Sequence, residues 1–252
     1  MNQHLYIVTG ASRGMGLEIA LQLLRAGHRL LCISRQSSQL LERRAQAAAV
    51  PLLQWQQDLA LGEAASVRLS HWLRDLPQAQ YASATLINNA GVIPRLVPLS
   101  QSDPQELAQA LRVGLEAPMQ LTAAFLRCTE TWNAQRRVLN ISSGLGRHAM
   151  ASQAGYCAAK AGMDHFTRCL ALDEAQKPRG ARVCSLAPGV IDTEMQLQLR
   201  SADAALFPAA GNFAALKQNG QLASPTEAAA AVLAYLTRAD FGENPVADVR
   251  DA

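Results

Sequence analysis

Short apolar runs alternate with longer amphipathic stretches along the whole chain. The runs at 5–9, 29–33, 52–56, 85–88, 137–142 and 182–187, with a weaker one at 246–249, are expected to be strands. The stretches at 14–26, 38–49, 63–76, 103–130, 154–176 and 225–238 are expected to be helices. The strand segments show little apolar–polar alternation, which suits strands covered on both faces. Strand–helix repetition of this kind gives right-handed crossovers and a doubly wound parallel sheet with helices on both faces, an α/β fold. No linker or low-complexity break divides the pattern, so residues 1–252 read as one domain. The exception to the rhythm is 194–220, rich in Ala, Leu, Met and Phe and placed after a strand C-terminus. Ligands bind at that edge of open α/β sheets, so this segment is expected to cover a substrate as a lid.

Composition narrows the classes. Of the 252 residues 49% are hydrophobic and 17% charged, enough for a large core and unlike a disordered chain. A net charge of +3 is too small to imply nucleic acid or an acidic membrane surface as a partner. The five cysteines (Cys32, Cys128, Cys157, Cys169 and Cys184) are odd in number and lack CxxC spacing, which argues against a disulfide framework and a zinc site. No metal is expected. The chain begins directly in a strand without a signal-peptide pattern, and no apolar run reaches the roughly 20 residues of a membrane span. The expectation is a cytoplasmic protein.

The first strand is followed by Thr9-Gly10-Ala11-Ser12-Arg13-Gly14-Met15-Gly16, which opens the first helix. Glycines there allow a tight turn and close approach of a pyrophosphate, whose charge the helix N-terminus favours. The fold therefore reads as Rossmann-type. The end of the second strand selects the cofactor: an acid would hold a ribose hydroxyl, an arginine a 2′-phosphate. Here the chain reads Cys32-Ile33-Ser34-Arg35. With Arg13 able to approach from the glycine turn, Ser34 and Arg35 favour NADP(H). Asp58-Leu59 closes the third strand, where a carboxylate can accept from an adenine amino group, and Asn88-Asn89-Ala90-Gly91 closes the fourth beside the cofactor ribose.

Tyr156 and Lys160 lie one helical turn apart, with Ser143 upstream at the end of the fifth strand. A phenol has an unperturbed pKa of about 10, and a lysine on the same helix face is expected to lower it and make a usable proton donor. Ser143 and Tyr156 together can stabilise negative charge developing on a carbonyl oxygen. Ser142 is the competing serine, expected to point the other way.

The combination of TGASRGMG, NNAG, ISS, YCAAK and Pro188-Gly189 resembles the short-chain dehydrogenase/reductase family over essentially the whole chain. The resemblance implies hydride transfer between NADP(H) and a carbonyl or alcohol. By motif position Tyr156 is the general acid/base, Ser143 binds the substrate oxygen, and Lys160 holds the nicotinamide ribose. Pro188, Gly189, Val190 and Thr193 would line the nicotinamide. The departure is Gly114, where relatives usually carry an asparagine that bends the helix and holds a relay water. That leaves open a retained activity with an altered relay, or an NADP-binding sensor with weakened or lost catalysis. The similarity is strongest to the sepiapterin reductase and benzil reductase branch, which implies reduction of one carbonyl of a bulky α-dicarbonyl, a small-molecule substrate. Leu145, Met150, Met195, Leu199, Phe207 and Phe213 are pocket-lining or core; Asp248 is a substrate anchor or a surface carboxylate; His148 is rim or surface. As in many relatives, the helices at 103–130 and 154–176 could pair in a homodimer or homotetramer.

Overall fold

A computed structural model describes residues 3–251. Among these, seven strands form one sheet in the order β3-β2-β1-β4-β5-β6-β7, every neighbouring pair parallel. They are β1 (Gln3–Thr9), β2 (His28–Ser34), β3 (Leu52–Gln56), β4 (Tyr81–Asn88), β5 (Gln135–Ile141), β6 (Arg182–Ala187) and β7 (Val246–Asp248). Successive β1 residues serve opposite cores: Leu5 and Ile7 join one apolar cluster, Val8 the other. That double burial is why the strands do not alternate in the sequence.

One face is covered by α3 (Gly62–Arg74), α5 (Ala117–Thr129) and α6 (Ala154–Ala175), through residues such as Leu69, Phe125 and Leu170. The other is covered by α1 (Gly14–Gln22), α2 (Gln39–Ala47) and α9 (Pro225–Leu236), through Ile19, Leu41 and Val232. Phe125 is fully buried, and truncating it to alanine should cost about 3–5 kcal/mol. Helix starts follow local chemistry. Asp103 accepts N–H bonds from Gln105 and Glu106 ahead of Pro104, and Ser224 forms a capping box with Glu227.

The expected helix at 103–130 is not continuous. It is α4 (Pro104–Leu111), a π turn over Arg112–Glu116, and α5. Pro118 explains the break. It has no N–H to donate to the carbonyl four residues earlier, that of Gly114, and its ring crowds that carbonyl. The ladder shifts instead, and the Ala117 N–H reaches the Arg112 carbonyl. α1 is also shorter than expected, ending before the turn at Gly27 (φ +82). The 194–220 segment contains α7 (Glu194–Arg200) and α8 (Ala210–Gln218).

Candidate active site

The site collects at the C-terminal ends of the parallel strands. Gly10 (φ +69) and Gly14 (φ +55) turn the chain from β1 into α1. Gly16 has no room for a side chain: a Cβ there would lie 2.2 Å from the Gly10 carbonyl oxygen. The β4 loop braces this turn. The Thr9 hydroxyl oxygen accepts from the Asn89 and Ala90 N–H groups at 2.9 and 3.0 Å, and the Asn89 amide donates back to the Thr9 carbonyl at 3.0 Å. α1 begins with no side-chain cap and no acid in its first turn, so its N–H groups point to an outside anion. A Cβ on Gly14 would meet only the Thr193 methyl, at 3.7 Å. Bare helix N–H groups beside glycine space fit a dinucleotide pyrophosphate.

The adenosine side is only partly as expected. Arg35 is exposed and has no ion-pair partner among the described residues. Arg13 is instead paired with Glu194 of α7. Ser34 donates to the Gln36 carbonyl at 3.0 Å. The Asp58 carboxylate accepts from the Ala60 N–H at 2.9 Å, capping a short turn, and the Leu59 side chain lies in the core. Met15 is likewise a core residue. Sequence spacing could place these side chains near the cofactor but could not reveal the nearer partners that claim them.

Buried polar bonds fix the reacting centre. The Asn88 amide donates to Asn140 at 2.8 Å and to Thr122 at 3.1 Å, and Asn140 donates to Thr167 at 2.9 Å. These pin β4, α5, β5 and α6 together behind Ser143 and Tyr156. The Ser143 hydroxyl oxygen accepts from the Leu145 N–H at 3.2 Å, capping the short Gly144–Gly146 turn, and the serine acts on the Tyr156 phenol as a hydrogen-bonding group that lowers its pKa. Ser142 points away, donating to Asp164 at 2.6 Å. The expectation that Ser142 points the other way agrees with this bond.

Lys160 is 4% exposed and its Nζ donates to the Ile141 carbonyl at 2.7 Å. It lies 5.7 Å from the Tyr156 ring centroid and beside Gly91. The expectation that it lowers the tyrosine pKa is corrected here. Burial pushes Tyr156 up to about 12, and the Ser143 hydrogen bond opposes that. Burial likewise pushes Lys160 down to about 8, while Asp164 opposes that.

Beyond β6, Pro188 leads to Gly189 (φ +82), Val190 is partly exposed, and Thr193 abuts the glycine turn. The 194–220 segment is cross-braced. The Asp192 carboxylate takes Arg200 of α7 at 2.9 Å and Lys217 of α8 at 2.5 Å. Ser152 ties its connecting loop to the turn after Ser143, donating to the Leu206 carbonyl at 2.6 Å. Leu199 and Phe207 are buried in a small cluster with Leu96, and Phe207 stacks on Phe213. These side chains form a core of their own under α7 and α8. Leu145, Met150 and Met195 stay half-buried and can line a pocket. His148 is exposed. Asp248 is corrected as an anchor: it is buried and forked by Arg250, with bonds of 2.8 and 2.6 Å, because the following turn folds Arg250 back onto it.

A protein of this fold with a serine–tyrosine–lysine centre beside a dinucleotide groove is an oxidoreductase acting on C=O or CH–OH groups. The chain belongs to the short-chain dehydrogenase/reductase family, whose profile, described as "short chain dehydrogenase", matches residues 4–204. It is 32% identical over 240 residues to a benzil reductase ((S)-benzoin forming) of Bacillus cereus, covering 95% of this chain and 96% of that one. It is also 32% identical to the benzil reductase ((S)-benzoin forming) of Bacillus subtilis, covering 93% of each. Among solved structures, a putative 2-deoxy-D-gluconate 3-dehydrogenase from Agrobacterium tumefaciens with bound NADP superposes with a TM-score of 0.79 at 26% identity, over 99% of this chain and 95% of that one. No helix among the described residues is long and apolar enough to cross a membrane.

Proposed function

We propose that this protein is an NADPH-dependent reductase of one carbonyl of an aromatic or bulky α-dicarbonyl. The similarity to two benzil reductases along nearly the full chain carries this reading. When bound, the reduced nicotinamide supplies a hydride to the carbonyl carbon. The residues of the chain handle the oxygen. Ser143 and Tyr156 converge on it and stabilise its developing charge, and Tyr156 delivers the proton. Lys160 holds the ribose and Arg35 the 2′-phosphate. The half-buried Leu145, Met150 and Met195 offer an apolar wall to aromatic rings. NADPH oxidation with benzil-like diketones tests the reading. Tight NADPH binding without turnover across a diketone and quinone panel would overturn it in favour of a cofactor-binding sensor.

A further inference from the structure

Asp164 is buried to 1% exposure on α6, one helical turn beyond Lys160, and takes no part in the chemistry above. Its Oδ1 accepts from two hydroxyls, Ser142 at 2.6 Å and Ser185 of β6 at 2.7 Å. Its Oδ2 has no hydrogen-bond donor and lies 3.6 Å from the Arg147 Nε. Gly146 closes over it so tightly that a Cβ there would sit 2.8 Å from Oδ2 and 2.9 Å from the Lys160 carbonyl oxygen. Arg147 is itself steadied by the Ala247 carbonyl at 3.1 Å. The residues on either side of Ser143 thus converge on one carboxylate, Ser142 by a hydrogen bond and Gly146 and Arg147 by packing and charge.

We propose that Asp164 is a positioning residue: a buried carboxylate that clamps the Ser143 turn onto α6 and supplies the negative charge one turn along from Lys160. Two side chains of α6 then grip consecutive residues of the strand end, Lys160 the Ile141 carbonyl and Asp164 the Ser142 hydroxyl. The charged and titratable groups around this pair are few. Tyr156 comes from α6, Arg147 from the turn after β5, and Cys184 from β6, its thiol pushed up to about 12 by burial. Among the described residues Asp164 is the acid that acts on Lys160. A buried ammonium sheds its proton unless an anion supports it, and an opposite charge nearby shifts such a group by about 1–3 units. The charge that keeps Lys160 able to hold a ribose hydroxyl thus comes from within its own helix.

This inference rests on the proposed function for its kinetic readout and on NADPH binding for a second. The experiment measures kcat/KM and NADPH affinity against pH for the holoenzyme and three variants. In Asp164→Asn the alkaline limb of both profiles should move down by at least about one pH unit. In Arg147→Met, where a competing positive charge is removed, it should move up. Ser185→Ala loses a hydroxyl bond to the same oxygen with the charge intact, and its limb should stay where the wild type's is. Unmoved limbs in both Asp164→Asn and Arg147→Met would overturn the proposal. If Asp164→Asn does not fold, Arg147→Met decides alone. A wild type that turns over no carbonyl but shows the shifted NADPH-binding limbs would sink the function and leave this inference standing.

Discussion

Lys160 donates to the Ile141 carbonyl at 2.7 Å rather than to the Tyr156 hydroxyl. The lysine is therefore tied to the strand end, and Ser143 is the side chain that acts on the phenol by hydrogen bonding. Tyr156→Phe should keep NADPH binding and lose turnover by about 10²–10⁴-fold. Ser143→Ala, which removes one donor to the developing oxyanion, should lose about 10²–10³-fold in kcat. Steady-state kinetics with fluorescence titration of NADPH separates the two effects, and unchanged turnover in Tyr156→Phe would refute the assignment.

Arg35 is expected to be the phosphate-reading residue, since Arg13 is occupied by Glu194. Arg35→Gln should raise the KM for NADPH by about tenfold or more and leave that for NADH nearly unchanged, as a hydrogen bond between charged groups contributes about 1.5–3 kcal/mol. Equal effects on both cofactors would remove Arg35 from the site.

Glu194→Gln releases Arg13 from its pair. Both side chains are largely exposed, so the pair itself is worth at most about 1 kcal/mol. The variant should bind NADPH up to about fivefold more tightly, because the freed guanidinium can turn to phosphate. Weaker binding would mean instead that the pair holds α7 in the position that suits the cofactor.

Much of this arrangement was legible in the sequence, and the rest failed for specific reasons. Strand positions were readable because double burial leaves continuous apolar runs, and β3 and β6 fall where the pattern puts them. The break at Gly114 was hidden because the apolar stripe of Ala110, Val113, Ala117 and Leu121 runs on through it. Pro118 was the available signal. Asp164 could have been found by asking what lies one turn after Lys160. The Arg13–Glu194 and Asp248–Arg250 pairs show the opposite difficulty. A charged residue near the site in sequence reads as a ligand contact, while in the fold a nearer counter-charge engages it.

The buried lysine and tyrosine also give the cofactor-free protein a characteristic pH dependence. The folded-state value of Lys160 is lowered to about 8 from 10.5, so at this group the unfolded chain binds more protons between those values and its contribution to stability rises with pH there. Tyr156 is raised to about 12 from 10.0, so the folded state binds more protons above pH 10 and stability falls. Urea midpoints should climb from pH 8 to about 9 and then decline, because the buried Cys32 and Cys184 thiols, raised to about 12 from 9.0, join Tyr156 in holding protons that the unfolded chain loses. Lys160→Met should flatten the climb and leave the decline, and an unchanged climb would show that Lys160 is not the group responsible.

Gly114→Asn tests whether the usual family side chain can be restored. A Cβ at this position would lie 3.1 Å from the Ala159 Cβ, one residue before Lys160. The added bulk must push α6 or the π turn, at a cost of about 1–3 kcal/mol. Thermal unfolding should show the loss, and turnover should fall rather than rise. Higher activity in this variant would identify Gly114 as a lesion in the site.

The Thr9–Asn89 bonds bear on where the cost of cofactor uptake falls. By tying the glycine turn to the β4 loop, they make the groove floor rigid before any ligand arrives. A preorganised floor spends none of the binding energy on its own ordering. The adjustment then belongs to the opposite wall, α7 and α8, which Asp192 binds into one unit. The two sides of the groove are therefore built differently: the floor is tied across two strand ends, and α7 and α8 are tied to each other through one carboxylate.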